Sequence, residues 1–153
     1  MAAGVRYQVE GWGTGEVWLE EDVLLLHELP SGTITSDPLS ENDLTARFRS
    51  YFAGERPDFS DVRLDLEGYT PFHVAVVETL RRVPYGEVVT YGELAALAGR
   101  PNAPRAAGSA CAQNRFPLVV PCHRVVSATG IGGYGASGVE VKRRLLGLEG
   151  VSL

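Results

Sequence analysis

The stretch VVPCHRVV, Val119 to Val126, sets a cysteine and a histidine side by side behind a proline, inside an apolar run. A thiol is mostly protonated at neutral pH. A histidine within reach, directly or through one water, can take that proton and leave a thiolate nucleophile. Neighbours on a straight strand point to opposite faces, so Cys122 and His123 can serve one pocket only if the chain bends. Pro121 predicts that it does. The histidine needs orienting in turn, usually by a carboxylate. Glu149 is a candidate at the C-terminal end of a predicted helix, where the dipole disfavours an anion by about 0.3–1 kcal/mol and an offsetting partner is expected. The competing readings are a small buried hydrophobe for Cys122 and an exposed end-of-helix acid for Glu149.

The remaining chemistry-bearing residues read more plainly. Cys111 has no such neighbours, lies on a predicted helix of small residues, and is expected to pack. Cys111, Cys122 and His123 lack short CxxC-type spacing, and no fourth ligand is evident, so no metal is expected. His27 falls in a predicted strand and His73 at a helix start, without a ligand cluster, so both read as structural or exposed.

The elements that must position the pair follow from periodicity. Val5, Tyr7 and Val9 alternate with polar residues as in a half-buried strand, GWGTG turns the chain, and EVWLE and VLLLHEL continue as strands. PSGTITSDP is a loop by composition. Residues 40–52 read as a helix capped by Ser40 with Asp43, burying Leu44, Phe48, Tyr51 and Phe52, and Gly54 stops it. Val62, Leu64 and Leu66 give a further strand. Thr70 and Pro71 open a helix running towards Val83. Thr90 and Glu93 form a capping box for a short helix ended by Gly99, and 105–113 (RAAGSACAQ) is a second short helix with almost no side-chain bulk. Helix, short turn and thin helix led by an arginine form the outline of a helix-turn-helix, or of a helix hairpin packed in its own core. Leu118 to Val120 reads as a strand entering PCHR. SATGIGGYGASG is a wing or pocket loop. Ser137 caps a last helix with Val141, Leu145 and Leu148 on its buried side and Lys142, Arg143 and Arg144 towards solvent.

At 153 residues the chain is one compact unit or two small ones. No apolar run reaches the roughly 20 residues of a membrane span, and the start lacks the basic and apolar regions of a secretory signal. Two cysteines suit a reduced, cytoplasmic setting. Charge is uneven. Residues 1–69 hold five arginines against fourteen acidic residues, whereas residues 70–153 hold eight arginines and one lysine against five. A basic half suits phosphates while an acidic half stays in water.

PCHRV resembles the acceptor motif of the O(6)-alkylguanine-DNA alkyltransferases, also called methylated-DNA–protein-cysteine methyltransferases. The resemblance runs from TPFHVAVVETLRRVPYGEVVTYGELA through RAAGSACAQN to the tyrosine, Ser-Gly, lysine, paired leucines and EG near the end, most of residues 69–150. It implies an α/β N-terminal ribonuclease-H-like sheet domain over 1–68 and a mainly helical winged helix-turn-helix domain over 69–153 that binds DNA and accepts the alkyl group. It implies that Cys122 takes an alkyl group from O(6)-alkylguanine, or from O(4)-alkylthymine, in one irreversible step, with His123 acting through a water and Glu149 completing the relay. Asn114 matches the hinge asparagine, Arg105 the arginine that enters the base stack, and Tyr91 the tyrosine that helps rotate the nucleotide. Ala106, Gly108 and Ser109 match the thin helix on DNA, and Tyr134, Ser137, Gly138 and Val125 the base pocket. The implied partner is double-stranded DNA containing alkylated guanine, bound by a monomer that can cluster on DNA, with no cofactor, metal or membrane. Two rivals stay open at this point: a non-catalytic helix-turn-helix DNA-binding protein with Cys122 in its core, and a Cys–His hydrolase.

Overall fold

The computed structural model describes residues 1–34 and 41–153. The chain divides into two compact units. The first is Met1–Asp65 together with Arg115–Pro117, and the second is Leu66–Asn114 with Leu118–Leu153.

The first unit is built on a four-stranded sheet in the order β1 (Ala3–Val9), β2 (Gly13–Glu20), β3 (Val23–Ser31) and β4 (Arg63–Leu64). β1, β2 and β3 are antiparallel, and β4 pairs parallel to β3. Glu21 and Asp22 both take positive φ between β2 and β3, the twist a two-residue hairpin turn requires. The alternating strand of the sequence is β1. Its Tyr7 sits opposite Gly15, and a Cβ at Gly15 would fall 2.6 Å from the Tyr7 ring, so the glycine makes room for it. Helix α1 (Asp43–Phe52) buries Leu44, Phe48, Tyr51 and Phe52 as its spacing predicts. Its cap differs from expectation. Asn42 accepts from Thr45 N at 2.7 Å and Thr45 Oγ1 returns the bond, while Ser40 lies outside the described residues. β4 is shorter than the alternation of Val62, Leu64 and Leu66 suggests, because only Arg63 and Leu64 meet β3.

The second unit carries α2 (Pro71–Leu80), the short strand β5 (Val89–Thr90), α3 (Tyr91–Leu97), α4 (Pro104–Ala112), β6 (Val125–Val126) and α5 (Val139–Leu148). Thr70 caps α2 in front of Pro71, and Thr90 with Glu93 forms the predicted capping box on α3. β5 and β6 pair in parallel, Val89 with Val125 and Thr90 with Val126, which brings the start of α3 beside the segment after Cys122. Val76, Val77, Leu80, Leu94, Ala107, Val120, Leu145 and Leu146 are buried in this unit.

Three expectations are corrected. Leu118 and Val119 form a turn and only Val120 makes a β-bridge, so no strand runs through Leu118 to Val120, because Leu118 adopts φ +74°. Ser137 does not cap α5, whose N-cap is Gly138 at φ +85° with no side-chain bond. Lys142 does not face solvent but is fully buried, for reasons the site makes plain.

Candidate active site

Pro121 ends the turn, and Cys122–Arg124 wind into one turn of 3₁₀ helix. This is the bend the Cys–His pair needs. Asn114, just past the end of α4, donates its one Nδ2 group to Val120 O at 2.8 Å and to Cys122 Sγ at 3.1 Å. It therefore fixes the approach to the sulfur and the sulfur itself.

His123 is fully buried, and its Nε2 meets Glu149 Oε2 at 2.6 Å. Glu149 occupies the C-cap of α5, where an anion needs an offset. Three neighbours supply it: Arg124 Nε at 2.8 Å and Nη2 at 3.1 Å, Gly86 N at 3.0 Å, and the imidazole. Burial alone would raise the Glu149 pKa, but the hydrogen bonds from His123 and Arg124 outweigh it and hold the carboxyl well below its ordinary range. Burial lowers the His123 pKa against the pull of Glu149, so the ring is neutral at neutral pH. Arg124 also donates to Val83 O at 2.8 Å, which ties the carboxylate's partner to the end of α2.

Burial raises the Cys122 pKa, and it is opposed by the bond from Asn114, the Tyr134 hydroxyl, the charge of Lys142 and a backbone N–H at Cys122 itself. Lys142 is the residue that sequence reasoning placed on the wrong face. Its Nζ donates to Val125 O and, at 2.9 Å, to Gly133 O, and it lies 5.8 Å from the centroid of the Tyr91 ring. Two carbonyls and an aromatic face replace the water an ammonium would otherwise need. Gly132 is required beside it: φ is +75°, and a Cβ there would sit 3.2 Å from both Tyr91 Cε2 and Ser127 N.

A cavity of about 130 Å³ opens at the sulfur, lined by Tyr91, Gly108, Cys111, Ala112, Cys122, Gly133, Tyr134 and Gly135. It brings together Cys122, Tyr91, Gly108 and Tyr134 of the expected residues. Ser137, Gly138 and Val125 are not among its walls. Cys111, expected only to pack, is one of them. Burial and the nearby Cys122 push the Cys111 thiol up to about 12, so it stays protonated. On α4, Arg105, Ala106 and Ser109 are exposed, Gly108 is half-buried beneath Tyr91, and Ala107 and Ala110 are buried. The thin helix thus turns its larger residues nowhere: both faces are small, and Arg105 stands at the exposed N-terminal end.

Residues 71–151 match the family model described as 6-O-methylguanine DNA methyltransferase, DNA binding domain. A methylated-DNA–protein-cysteine methyltransferase of Methanothermobacter thermautotrophicus is 38% identical over 143 residues, covering 91% of this chain and 80% of that protein. A Thermus thermophilus protein named DNA base-flipping protein is 42% identical over 133 residues, covering 83% of this chain and 89% of that one. The crystal structure of the Mycobacterium tuberculosis enzyme OGT in complex with DNA superposes with a TM-score of 0.81 at 37% identity, covering 96% of this chain and 92% of that one. The mixed sheet-and-helix fold is shared with that structure. With its matched domain spanning Pro71 to Val151 and its fold in common, the chain belongs to the 6-O-methylguanine DNA methyltransferase family.

Proposed function

We propose that this protein repairs DNA directly by moving an alkyl group from O(6)-alkylguanine to Cys122. The observation that carries the reading is the sulfur at the wall of a cavity, held by Asn114 and followed by the buried His123–Glu149 pair. Glu149 occupies Nε2 of His123, so a proton leaving the thiol reaches the ring through Nδ1, by way of one water. Glu149 then faces an imidazolium, which it stabilises. The thiolate attacks the alkyl carbon, the S–C bond forms as the C–O bond breaks, and the electron pair leaves on the guanine, which takes up a proton. The product is a thioether that no water in this arrangement can cleave, so each molecule acts once.

A base inside a duplex cannot reach this cavity, so it must be extruded at a cost of a few kcal/mol. The exposed small face of α4, with Arg105, Ala106, Gly108 and Ser109, fits a minor groove, and Arg105 fills the gap left in the stack. Tyr91 and Tyr134 frame the base. We read the second unit as a winged helix-turn-helix spanning 69–153 and the sheet of the first as a ribonuclease-H-like domain over 1–68. The break between Asp65 and Leu66 supports a boundary there. Two free cysteines suit a cytoplasmic, reducing setting.

A raised Cys122 pKa is the one observation that favours a rival, a DNA-binding protein that flips a base and transfers nothing. Intact mass decides between them. After incubation with duplex DNA containing O(6)-methylguanine, the protein should gain one methyl group, and Cys122→Ala should gain none. An unchanged mass for the parent protein rejects alkyl transfer.

A further inference from the structure

Between Asn114 and Cys122 the chain leaves the second unit and returns to it, since Arg115–Pro117 belong to the first. One residue there grips this passage twice. His27 N donates to Arg115 O at 2.9 Å, and His27 Nδ1 donates to Pro117 O at 2.7 Å. The next residue, Leu118, is buried at φ +74°, a conformation that costs an L-residue with a side chain about 1–2 kcal/mol. Such strain persists only where the surroundings over-determine it. Downstream, Asn114 holds Val120 O and Cys122 Sγ. The strained turn is therefore pinned on both sides, by His27 before it and by Asn114 after it.

The His27 ring is built for a single state. It is 2% exposed and stacks on Phe48 at 3.8 Å between centroids. A carbonyl can only accept, so Nδ1 carries the proton that Pro117 O receives. Nε2 is then bare, and it accepts the Tyr7 hydroxyl at 2.6 Å. Burial lowers the ring's pKa to about 4, so it stays neutral and in this one tautomer at neutral pH.

We propose that His27 is a positioning residue for the transfer: its Nδ1–H clasps the Pro117 carbonyl and holds the Leu118 turn that aims Cys122. The proposal rests on the alkyl-transfer reading. Displacement at a saturated carbon needs sulfur, carbon and leaving oxygen in line, and misplacing a reacting atom by about 1 Å can cost about 100-fold. His27 touches neither the thiol nor any group of the relay. Its effect reaches the sulfur along the four residues between Pro117 and Cys122.

The test separates aim from stability by single-turnover methyl transfer at saturating O(6)-methylguanine duplex, with the Kd for the same DNA measured alongside. His27→Gln keeps a partner for Tyr7 near the Nε2 position but offers no donor near Nδ1. It should lose about 10- to 100-fold in rate with Kd unchanged. His27→Asn puts an amide N–H near Nδ1 and gives up Tyr7. It should melt lower yet recover most of the rate, and Tyr7→Phe should do the same. A folded His27→Gln protein that transfers at the parent rate overturns the proposal. If that variant does not fold, the imidazole ¹⁵N resonances of the parent protein decide: an Nδ1–H tautomer supports the clasp, and an Nε2–H tautomer overturns it. A parent protein that takes up no methyl fails the alkyl-transfer reading instead, before any variant is compared.

Discussion

Lys142 places a buried ammonium close enough to Cys122 to favour the thiolate. Burial holds the thiol above its ordinary pKa, so the thiolate is a minor species at neutral pH and transfer should quicken as pH rises. Removing the ammonium raises the thiol further. Lys142→Met is therefore expected to slow transfer at neutral pH and to move the pH–rate profile to higher pH, measured as single-turnover rates across neutral to alkaline buffers. It also strands the carbonyls of Val125 and Gly133, a loss of about 1–3 kcal/mol in denaturant unfolding. His27 gives a second pH dependence with the opposite site and a clear sign. Its folded pKa of about 4 lies below the ordinary 6.5, so its stabilising share is complete above 6.5 and is lost as pH falls towards 4. That loss amounts to about 3 kcal/mol. Urea unfolding at pH 7 and pH 4 should show it, and His27→Asn should flatten it. Neither residue was legible in this role. Lys142 sits in a run of three basic residues, and the carbonyls that take it in come from Val125 and Gly133, on segments before its helix. His27 is one letter in an apolar strand, and its partner Pro117 lies ninety residues away.

Elements carried most of the legible information, because caps and periodicity are local. Thr70–Pro71, the Thr90–Glu93 box and the buried face of α1 stand where spacing placed them. The misplaced features are those fixed by distant contacts or by a backbone choice no side chain announces. The cap of α1 fell on Asn42 because its oxygen reaches Thr45 N, and Asn42→Ala should cost about 1 kcal/mol in thermal or urea unfolding. The expected strand over Leu118–Val120 opens with a turn at Leu118 and Val119 because a leucine takes a left-handed conformation that glycine or asparagine would ordinarily mark. Within the site, the structure bends the chain at PCHR, sets Asn114 against Cys122 and His123 against Glu149, whereas Cys111 as a cavity wall did not follow from periodicity. On α4, Arg105→Ala should lower transfer to a lesion in duplex DNA while sparing transfer from the free O(6)-methylguanine base. Radiolabelled methyl uptake from the two substrates checks this.

For the molecule as a whole, the thioether product predicts a plateau of one alkyl group per chain however long the incubation. A methyl group added to the buried Cys122 sulfur crowds the Asn114 amide that contacts it, so the alkylated protein should melt below the free one in calorimetry. The basic second half and acidic first half predict binding that weakens steadily with added salt, read as the slope of log Kd against log salt concentration.

The excursion of Arg115–Pro117 has a consequence for how this protein can be divided. The first unit is completed by three residues that come from the middle of the second unit's sequence. Cutting after Asp65 would part Phe116, fully buried in the intact chain, from the unit it belongs to, and would strip the Arg115 and Pro117 carbonyls of their His27 donors. Evolution or an engineer could trade the sheet for another only by supplying a new host for those three residues, so the half that carries no chemistry is nevertheless inherited together with the half that does.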